Sequence, residues 1–147
     1  MCVDHHKLNA ATSNNKYPVP PMNQLLTVFN GSSIFSNTYL RSAYKLLRFK
    51  EGDEHLTCFG TKYGSYESLV LPFGLTNAPA SFQNLINDIF YDLLDIYAVV
   101  YLDETMLFSK SEEEHVTHMS TVPARLKDNT SILSPPSAYF MLLVQSI

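Results

Sequence analysis

The stretch IYAVVYLDETMLF, residues 96–108, contributes most to the fold prediction. Two apolar runs, Ile96–Leu102 and Met106–Phe108, flank the polar triplet Asp103-Glu104-Thr105. Apolar, β-branched and aromatic residues favour strands, and a short polar segment between two such runs favours a turn. The stretch therefore predicts a β-hairpin with an acidic tip. Paired carboxylates there are suited to divalent cations, but most acidic turns are simply solvated, so both interpretations stay open at this point.

Helical patterns lie on both sides of this hairpin. Before it, Asn77 and Pro79 introduce apolar residues spaced three and four apart, which predicts a capped helix to about Asp95. After it, Ser111 and Glu114 form a capping box for a second helix, which Pro123 is expected to interrupt at a cost of about 3 kcal/mol. The apolar positions of the first helix are Phe82, Leu85, Ile86, Ile89, Phe90, Leu93 and Leu94.

The upstream half also alternates between helix and strand signals. Prolines at 18, 20 and 21 followed by the apolar residues of Met22–Phe29 predict a short helix that ends before Gly31. The segment Ile34–Phe49, the turn Lys50–Glu54 and the run Leu56–Phe59 predict a strand, a bend and a hairpin. Together these patterns indicate one domain of mixed α and β structure.

Composition limits the class of protein. The 147 residues are 46% hydrophobic, which is enough for one core, and the net charge of −4 argues against strong autonomous nucleic-acid binding. Cys2 and Cys58 give neither a disulfide framework nor a metal-binding spacing. The N-terminus has no secretory signal pattern, and the apolar run Ala138–Val144 is far shorter than the roughly 20 residues of a membrane span. We therefore expect an intracellular protein that is neither secreted nor embedded in a membrane.

A second group of candidate ligands lies in the helix after the hairpin. His115 and His118 are three residues apart and follow three acidic residues, Glu112–Glu114. One helix face could present them to a metal ion. The simpler interpretation is a solvated first turn whose acidic residues complement the helix dipole.

The order of the motifs from Asp4 to about Asn129 resembles the reverse transcriptases of gypsy-type LTR retrotransposons. This resemblance implies an α+β fold: a reverse transcriptase palm with part of the fingers, its antiparallel sheet backed by helices near Pro79–Asp95 and Ser111–Lys127. The resembling stretches are Asp4–Asn9, Tyr17–Pro20, Phe35-Ser36 with Leu40–Tyr44, Lys50–Glu54, Leu71–Gln83, Tyr101–Asp103, and Phe108–Lys110 followed by Glu113–His115.

Residues 130–147 do not resemble the family, so the predicted reverse transcriptase domain covers residues 1–129. The family tends to continue there with a Lys-Cys-Leu-Phe-His segment. Codons for Pro136–Met141 can be chosen so that a shifted frame spells that segment. The tail is therefore interpreted as the product of a frameshift.

The resemblance also implies a set of site residues. The family palm holds Mg²⁺ or Mn²⁺ with three carboxylates: one at the end of the strand that begins Phe-Ser and two in a Tyr-x-Asp-Asp hairpin. In this chain Tyr39 takes the lone position, and Asp103 and Glu104 take the hairpin positions. By the same resemblance, the nucleotide-binding residues are the Leu40 backbone carbonyl, Tyr44 beneath the sugar, and Phe73 and Gly74 along the pocket, while Gln83 falls on the next helix.

Several departures from the family pattern predict an inactive copy. A phenol is neutral at pH 7 and cannot bridge two hard cations, so Tyr39 is the decisive departure, and Glu104 adds a methylene to the hairpin carboxylate. His5-His6 replaces the usual Tyr-Arg, so a basic contact to the template is lost, and the family's fingers strand, thumb and ribonuclease H regions fall outside residues 1–147. We expect weak binding of the RNA/DNA template-primer and deoxynucleotides. The alternatives are a domesticated module that binds nucleic acid or protein without catalysis and, less favoured, a live polymerase.

Overall fold

The structure, a computed structural model, describes residues 3–18, 26–29, 31–40, 43–129 and 145–146. Among these, three α-helices and six strands alternate along the chain, with short 3₁₀ helices at Leu26–Phe29, Ala43–Leu46 and Glu54–Thr57. The longer elements are α1 His6–Ala11, β1 Ile34–Tyr39, β2 Phe59–Thr61, β3 Gly64–Tyr66, α2 Ala78–Ile89, β4 Ala98–Tyr101, β5 Glu104–Ser109, α3 Glu112–Asp128 and β6 Gln145–Ser146.

The main sheet is antiparallel and has the strand order β4-β5-β1-β6. Its centre is the β1–β5 pair, which runs in continuous register from Ile34 opposite Ser109 to Tyr39 opposite Glu104. Strands β2 and β3 form a separate hairpin. The β1–β5 pair therefore has a Tyr39 end, next to the β4–β5 turn, and a Ser109 end, next to the start of α3.

The two faces of the sheet bury different side chains because successive residues of a strand point to opposite sides. One face packs against α2 and α3 and forms the main core, which buries Leu40, Ala43, Leu46, Phe82, Ile86, Ile89, Phe90, Leu93, Ala98, Val100, Leu107, Val122 and Leu126. The other face carries a smaller cluster of Val99 and Phe108 packed with Val28, Phe29, Phe35 and Tyr101. Tyr39 and Glu104 are directly opposite each other, so they share a face.

The acidic hairpin forms, but its tip is one residue earlier than the sequence indicates. Tyr101 pairs with Glu104, which leaves Leu102 and Asp103 as a two-residue turn and makes Glu104 the first residue of β5. The turn is possible because Leu102 takes a left-handed backbone conformation with φ 55°. Two-residue hairpin turns require positive φ at a central position, and a leucine there carries no sequence signal for it.

Helix α2 is shorter than predicted. It ends at Ile89, whereas the apolar spacing favoured a helix to about Asp95. The chain turns through residues 90–97, where Asp95 has φ 60° and its amide bonds the Ala98 carbonyl at 3.0 Å. Leu93 is buried within this turn. Its place in the apolar pattern therefore reflects packing in the core and not a continued helix.

The N-terminus of α2 also departs from the predicted cap. Asn77 is the N-cap residue, but its side chain makes no cap hydrogen bond. Instead Asn77 Oδ1 accepts from the Asn15 amide at 2.9 Å, and Asn77 Nδ2 donates to the Ser13 carbonyl at 2.8 Å. The asparagine therefore fastens the N-terminal segment to the start of α2.

Helix α3 begins as predicted and continues through its proline. The Glu114 amide donates to Ser111 Oγ at 3.3 Å, while the Glu114 carboxylate accepts from the Lys110 amide rather than from Ser111. Pro123 does not interrupt the helix, which runs on to Asp128. Acidic residues in the first turn and basic residues in the last turn complement the helix dipole.

Other upstream predictions are met only in part. The hairpin lies at β2–β3, after a 3₁₀ turn at Glu54–Thr57 that the sequence had indicated as part of a strand. Half of the predicted Met22–Phe29 helix, and most of the tail after Asn129, lie outside the described residues; the described half, Leu26–Phe29, is a 3₁₀ helix. No helix within the described ranges is long and apolar enough to cross a membrane.

Candidate active site

The candidate site lies at the Tyr39 end of the β1–β5 pair, beside the turn between β4 and β5. Beyond the last strand pair, the Leu40 amide donates to the Asp103 carbonyl at 2.9 Å. This bond ties the residue after β1 to the hairpin turn. The structure thus brings Tyr39, Leu40, Asp103 and Glu104 together.

A buried amide joins the two side chains that face each other across the pair. Asn37 precedes Tyr39 by two residues and therefore points to the same face of the sheet. Its Nδ2 donates to Tyr39 Oη at 2.9 Å and lies 3.5 Å from Glu104 Oε2. Asn37 is 8% exposed, and its Oδ1 has no hydrogen-bond partner among the described residues.

Aromatic side chains form a wall next to the hairpin turn. The Tyr44 ring packs edge-on against Phe73 at 5.1 Å and against Phe82 at 5.5 Å. Burial raises the pKa of Tyr44, and the negative charge of Asp103 raises it further. The phenol of Tyr44 is therefore neutral at pH 7. Phe73 is 65% exposed, so one side of this wall is open to solvent.

The loop that carries Phe73 is held by the N-terminal helix. Gly74 has φ 97°, a conformation that favours glycine, and its carbonyl accepts from Asn9 Nδ2 at 2.7 Å. Asn9 Oδ1 accepts in turn from the Thr76 amide at 2.9 Å. His5 packs against Gly74 and is buried, whereas His6 is exposed. Leu40, Tyr44, Phe73 and Gly74 thus lie around the hairpin turn or the aromatic wall beside it.

Comparisons with known proteins agree on one family. The sequence matches the family described as "Reverse transcriptase (RNA-dependent DNA polymerase)" over residues 1–141. The chain belongs to the reverse transcriptase family. The match includes part of the segment predicted as a tail, and the domain boundary at residue 129 stays a prediction.

Curated relatives and solved structures support this assignment. The chain is 41% identical over 140 residues to the Transposon Tf2-3 and Tf2-4 polyproteins of Schizosaccharomyces pombe, covering 95% of this chain and 10% of each polyprotein. A foamy viral protease-reverse transcriptase in complex with RNA/DNA hybrid superposes with a TM-score of 0.77 at 18% identity, covering 85% of this chain and 17% of that chain. The native Prototype Foamy Virus enzyme gives a TM-score of 0.69 at 20% identity, with the same coverage. The expected α+β reverse transcriptase palm is thereby confirmed.

Reverse transcriptases use divalent metal ions, but the residues at this site do not fit a pair of them. The Tyr39 phenol lies opposite Glu104, and the Asn37 amide is bonded to its hydroxyl and lies 3.5 Å from Glu104 Oε2. Asp103 is exposed. No group of three or more His, Cys, Asp or Glu side chains within the described ranges could hold a metal ion. Two divalent cations need several hard oxygen ligands, which this arrangement lacks.

The sequence suggested either a metal site or a solvated turn for the histidines of α3. In the structure both histidines bond serine hydroxyls of the sheet. His115 is buried rather than solvated, with Nε2 2.7 Å from Ser36 Oγ and Nδ1 2.8 Å from Ser109 Oγ. His118 Nδ1 also bonds Ser109 Oγ at 2.8 Å, and its ring stacks on Tyr97 at 3.7 Å. Burial lowers the pKa of His115, and the nearby His118 lowers it further. These side chains dock α3 onto the Ser109 end of the sheet.

Two amides act on the site in ways that were not predicted from the sequence: Asn37 was not singled out, and Gln83 was placed on the next helix without a role. Asn37 bonds Tyr39, and Gln83 bonds the hairpin backbone at Leu102. Both carried a usable signal. Asn37 is two residues from Tyr39 on a predicted strand, and Gln83 is a polar residue next to the buried positions of an amphipathic helix.

Proposed function

We propose that this chain is a piece of a gypsy-type LTR retrotransposon reverse transcriptase whose polymerase site is catalytically inactive. The observation that carries the proposal is the pairing of Tyr39 with Glu104 across the β1–β5 pair, with Asn37 bonded to the Tyr39 hydroxyl. The reaction of the whole protein would be RNA-directed DNA polymerisation with Mg²⁺ or Mn²⁺. The chain spans 10% of the length of the curated polyproteins it matches, so this activity belongs to the proposal.

The chemistry of nucleotidyl transfer explains why the pairing matters. Divalent cations activate the attacking hydroxyl and neutralise charge on the leaving group, and carboxylates must hold those cations in a fixed arrangement. Tyr39 brings no charge to its position, and its hydroxyl is bonded to an amide. Glu104 keeps its charge, yet its carboxylate lies beside that same amide. Asp103 alone is left with an exposed carboxylate on the turn.

The nucleotide side of the proposed site keeps more of its parts. Tyr44 and Phe73 form an aromatic wall beside Asp103, and the left-handed Gly74 lets the adjoining backbone lie close to a ligand. By the resemblance, Tyr44 would lie beneath the sugar of a deoxynucleotide, Phe73 and Gly74 would line its pocket, and the Leu40 carbonyl would face the metal bound to it. Loss of carboxylates with retention of the wall predicts weak nucleotide binding without turnover.

Weak binding of an RNA/DNA template-primer follows from charge. The chain carries a net charge of −4, and phosphate attraction depends on clustered Lys and Arg. His5, at a position where the family usually has an aromatic residue, is buried and therefore not a template contact in this conformation. Salt-sensitive, weak binding is expected. Tight binding that persists at several-fold higher salt would instead favour the domesticated binding module.

The decisive experiment restores the carboxylates. The variant Tyr39→Asp with Glu104→Asp is compared with the parent chain by calorimetric Mn²⁺ titration and by primer extension on RNA and DNA templates. The parent is expected to extend no primer, and the folded double variant is expected to bind Mn²⁺ at least about tenfold more tightly. Primer extension by the parent that disappears in Asp103→Asn would overturn the claim of inactivity. Unchanged Mn²⁺ affinity in the folded double variant would show that the site has been misplaced.

A further inference from the structure

The turn that carries Asp103 needs support from outside the hairpin. Leu102 has φ 55°, and this left-handed conformation is unfavourable for a residue with a side chain. A two-residue turn with this strain is stable only where surrounding contacts hold it. The Leu102 amide donates to Gln83 Oε1 at 2.8 Å, so α2 supplies one such contact.

Gln83 supplies a second bond to the same strand edge. Its Nε2 donates to the Val100 carbonyl at 3.1 Å, and its side chain is fully buried. Val100 and Leu102 are two residues apart, so their outward backbone groups lie on one edge of β4. In the described sheet β4 is the end strand. The Gln83 amide therefore bonds this edge as a neighbouring strand would.

The amide of Gln83 is itself fixed from the other side. Its Nε2 also donates to Asn87 Oδ1 at 2.9 Å, one turn further along α2. Asn87 Nδ2 donates to the Tyr17 hydroxyl at 2.9 Å. Tyr17 belongs to the N-terminal segment, which Asn77 holds through its bonds to Ser13 and Asn15. A continuous relay of side chains thus runs from Tyr17 to the turn.

We propose that Gln83 is a positioning residue for the hairpin that carries Asp103, and that Asn87 and Tyr17 extend this control to the N-terminal segment. Gln83 makes the strained turn rigid, and Tyr17 fixes the orientation of the Asn87 amide on which Gln83 depends. The proposal rests on the proposed function only in treating Asp103 as a site residue. The relay itself is independent of metal or nucleotide.

The first test compares amide hydrogen exchange in the parent chain with exchange in two single variants of α2. Gln83→Met keeps the side-chain length and removes both hydrogen-bonding groups, and Asn84→Met on the exposed side of α2 is the matched control. Exchange at the Leu102 amide is expected to accelerate about tenfold more than at the Phe108 amide, which bonds the Tyr97 carbonyl. Equal acceleration at both amides would show that Gln83 only fills the core.

The second test removes the far end of the relay. Tyr17→Phe deletes one hydroxyl and leaves the ring, and Tyr91→Phe on an exposed tyrosine is its control. Exchange at the Leu102 amide is expected to rise about threefold in Tyr17→Phe and to stay unchanged in Tyr91→Phe. If the two variants behave alike, the extension to the N-terminal segment is wrong.

A third measurement separates this proposal from the proposed function. Gln83→Met is added to the Tyr39→Asp, Glu104→Asp background, and Mn²⁺ affinity is expected to fall about tenfold because the Asp103 carboxylate is no longer fixed. An unchanged affinity, with Leu102 exchange accelerated, would overturn the positioning role for Asp103. If the restored background binds no Mn²⁺ at all, the proposed function fails, and the exchange results decide the relay.

Discussion

At the Ser109 end of the β1–β5 pair, His115 bonds two buried hydroxyls, whereas at the Tyr39 end a buried amide bonds two side chains and leaves one oxygen unpartnered within the described ranges. Both ends place polar groups on the same two strands. The Ser109 end uses them to dock α3. At the Tyr39 end, the Tyr39 hydroxyl accepts from Asn37, and this asparagine has only part of its bonding capacity filled. The difference indicates that the fold depends on the Ser109 end far more than on the candidate site.

The largest effect is expected from breaking the Ser109 end. His115→Ala removes the partner of two buried hydroxyls and leaves a cavity, so it should lower the free energy of unfolding by about 2–4 kcal/mol. Urea denaturation measures this. The control Val116→Ala, at an exposed position of the same helix, should cost less than about 0.5 kcal/mol. Similar losses in the two variants would contradict a structural role for the His115 network.

The next effect concerns the helix that carries His115. Pro123 is exposed inside α3 and removes one hydrogen bond of the helix. Pro123→Ala should therefore raise the free energy of unfolding by about 1–3 kcal/mol, measured by thermal and urea denaturation. Leu102 amide exchange measured under strongly native conditions, where local opening dominates, should not change, because the Leu102 amide is bonded to Gln83 of α2 and not to α3. A destabilised Pro123→Ala variant would show that the proline makes a packing contact worth more than the lost bond.

The Ser109 end should also make the free energy of unfolding depend on pH, because it contains the buried His115. The pKa of His115 in the folded protein is lowered by burial and by His118, so folding favours its neutral form. The unfolded chain then binds more protons below about pH 6.5, and stability is present above that pH and lost as pH falls toward the folded pKa. The expected slope is at most about 1.4 kcal/mol per pH unit. His115→Gln should flatten this part of the stability profile, and an unchanged profile would assign the dependence to other histidines.

Elements with local sequence signals could be predicted, whereas contacts between distant elements could not. The α2 pattern, the capping box of α3 and the acidic hairpin depend on local periodicity and turn chemistry, so their existence was predictable. The turn at Leu102 and the early end of α2 depend on positive φ at Leu102 and Asp95; leucine gives no signal for this conformation, and aspartate gives only a weak one. His115 could not be placed because its partners, Ser36 and Ser109, come together only when β1 pairs with β5.

The site residues illustrate both outcomes. Tyr39 and Glu104 were predicted as neighbours because the resemblance aligned a whole strand and hairpin, and the register places them opposite each other. The resemblance to the family does not mark Asn37. Its role follows from strand alternation alone, which puts it on the Tyr39 face. Local periodicity was therefore sufficient for neighbours along one strand but not for contacts between distant elements.

The smallest effect is expected from Asn37→Leu at the Tyr39 end. This substitution removes the bonds to Tyr39 and Glu104, but both of these side chains are partly exposed and can bond water instead. It also removes a buried oxygen that has no partner among the described residues, and replacing such a group by an apolar one of similar shape is close to neutral. The free energy of unfolding should change by less than about 1 kcal/mol. The matched variant Ser36→Ala, on the neighbouring residue of β1, leaves a buried His115 nitrogen unpaired and should cost about 1–3 kcal/mol. If Asn37→Leu costs as much as Ser36→Ala, then Asn37 is a structural anchor of the Tyr39 end, and the contrast between the two ends is wrong.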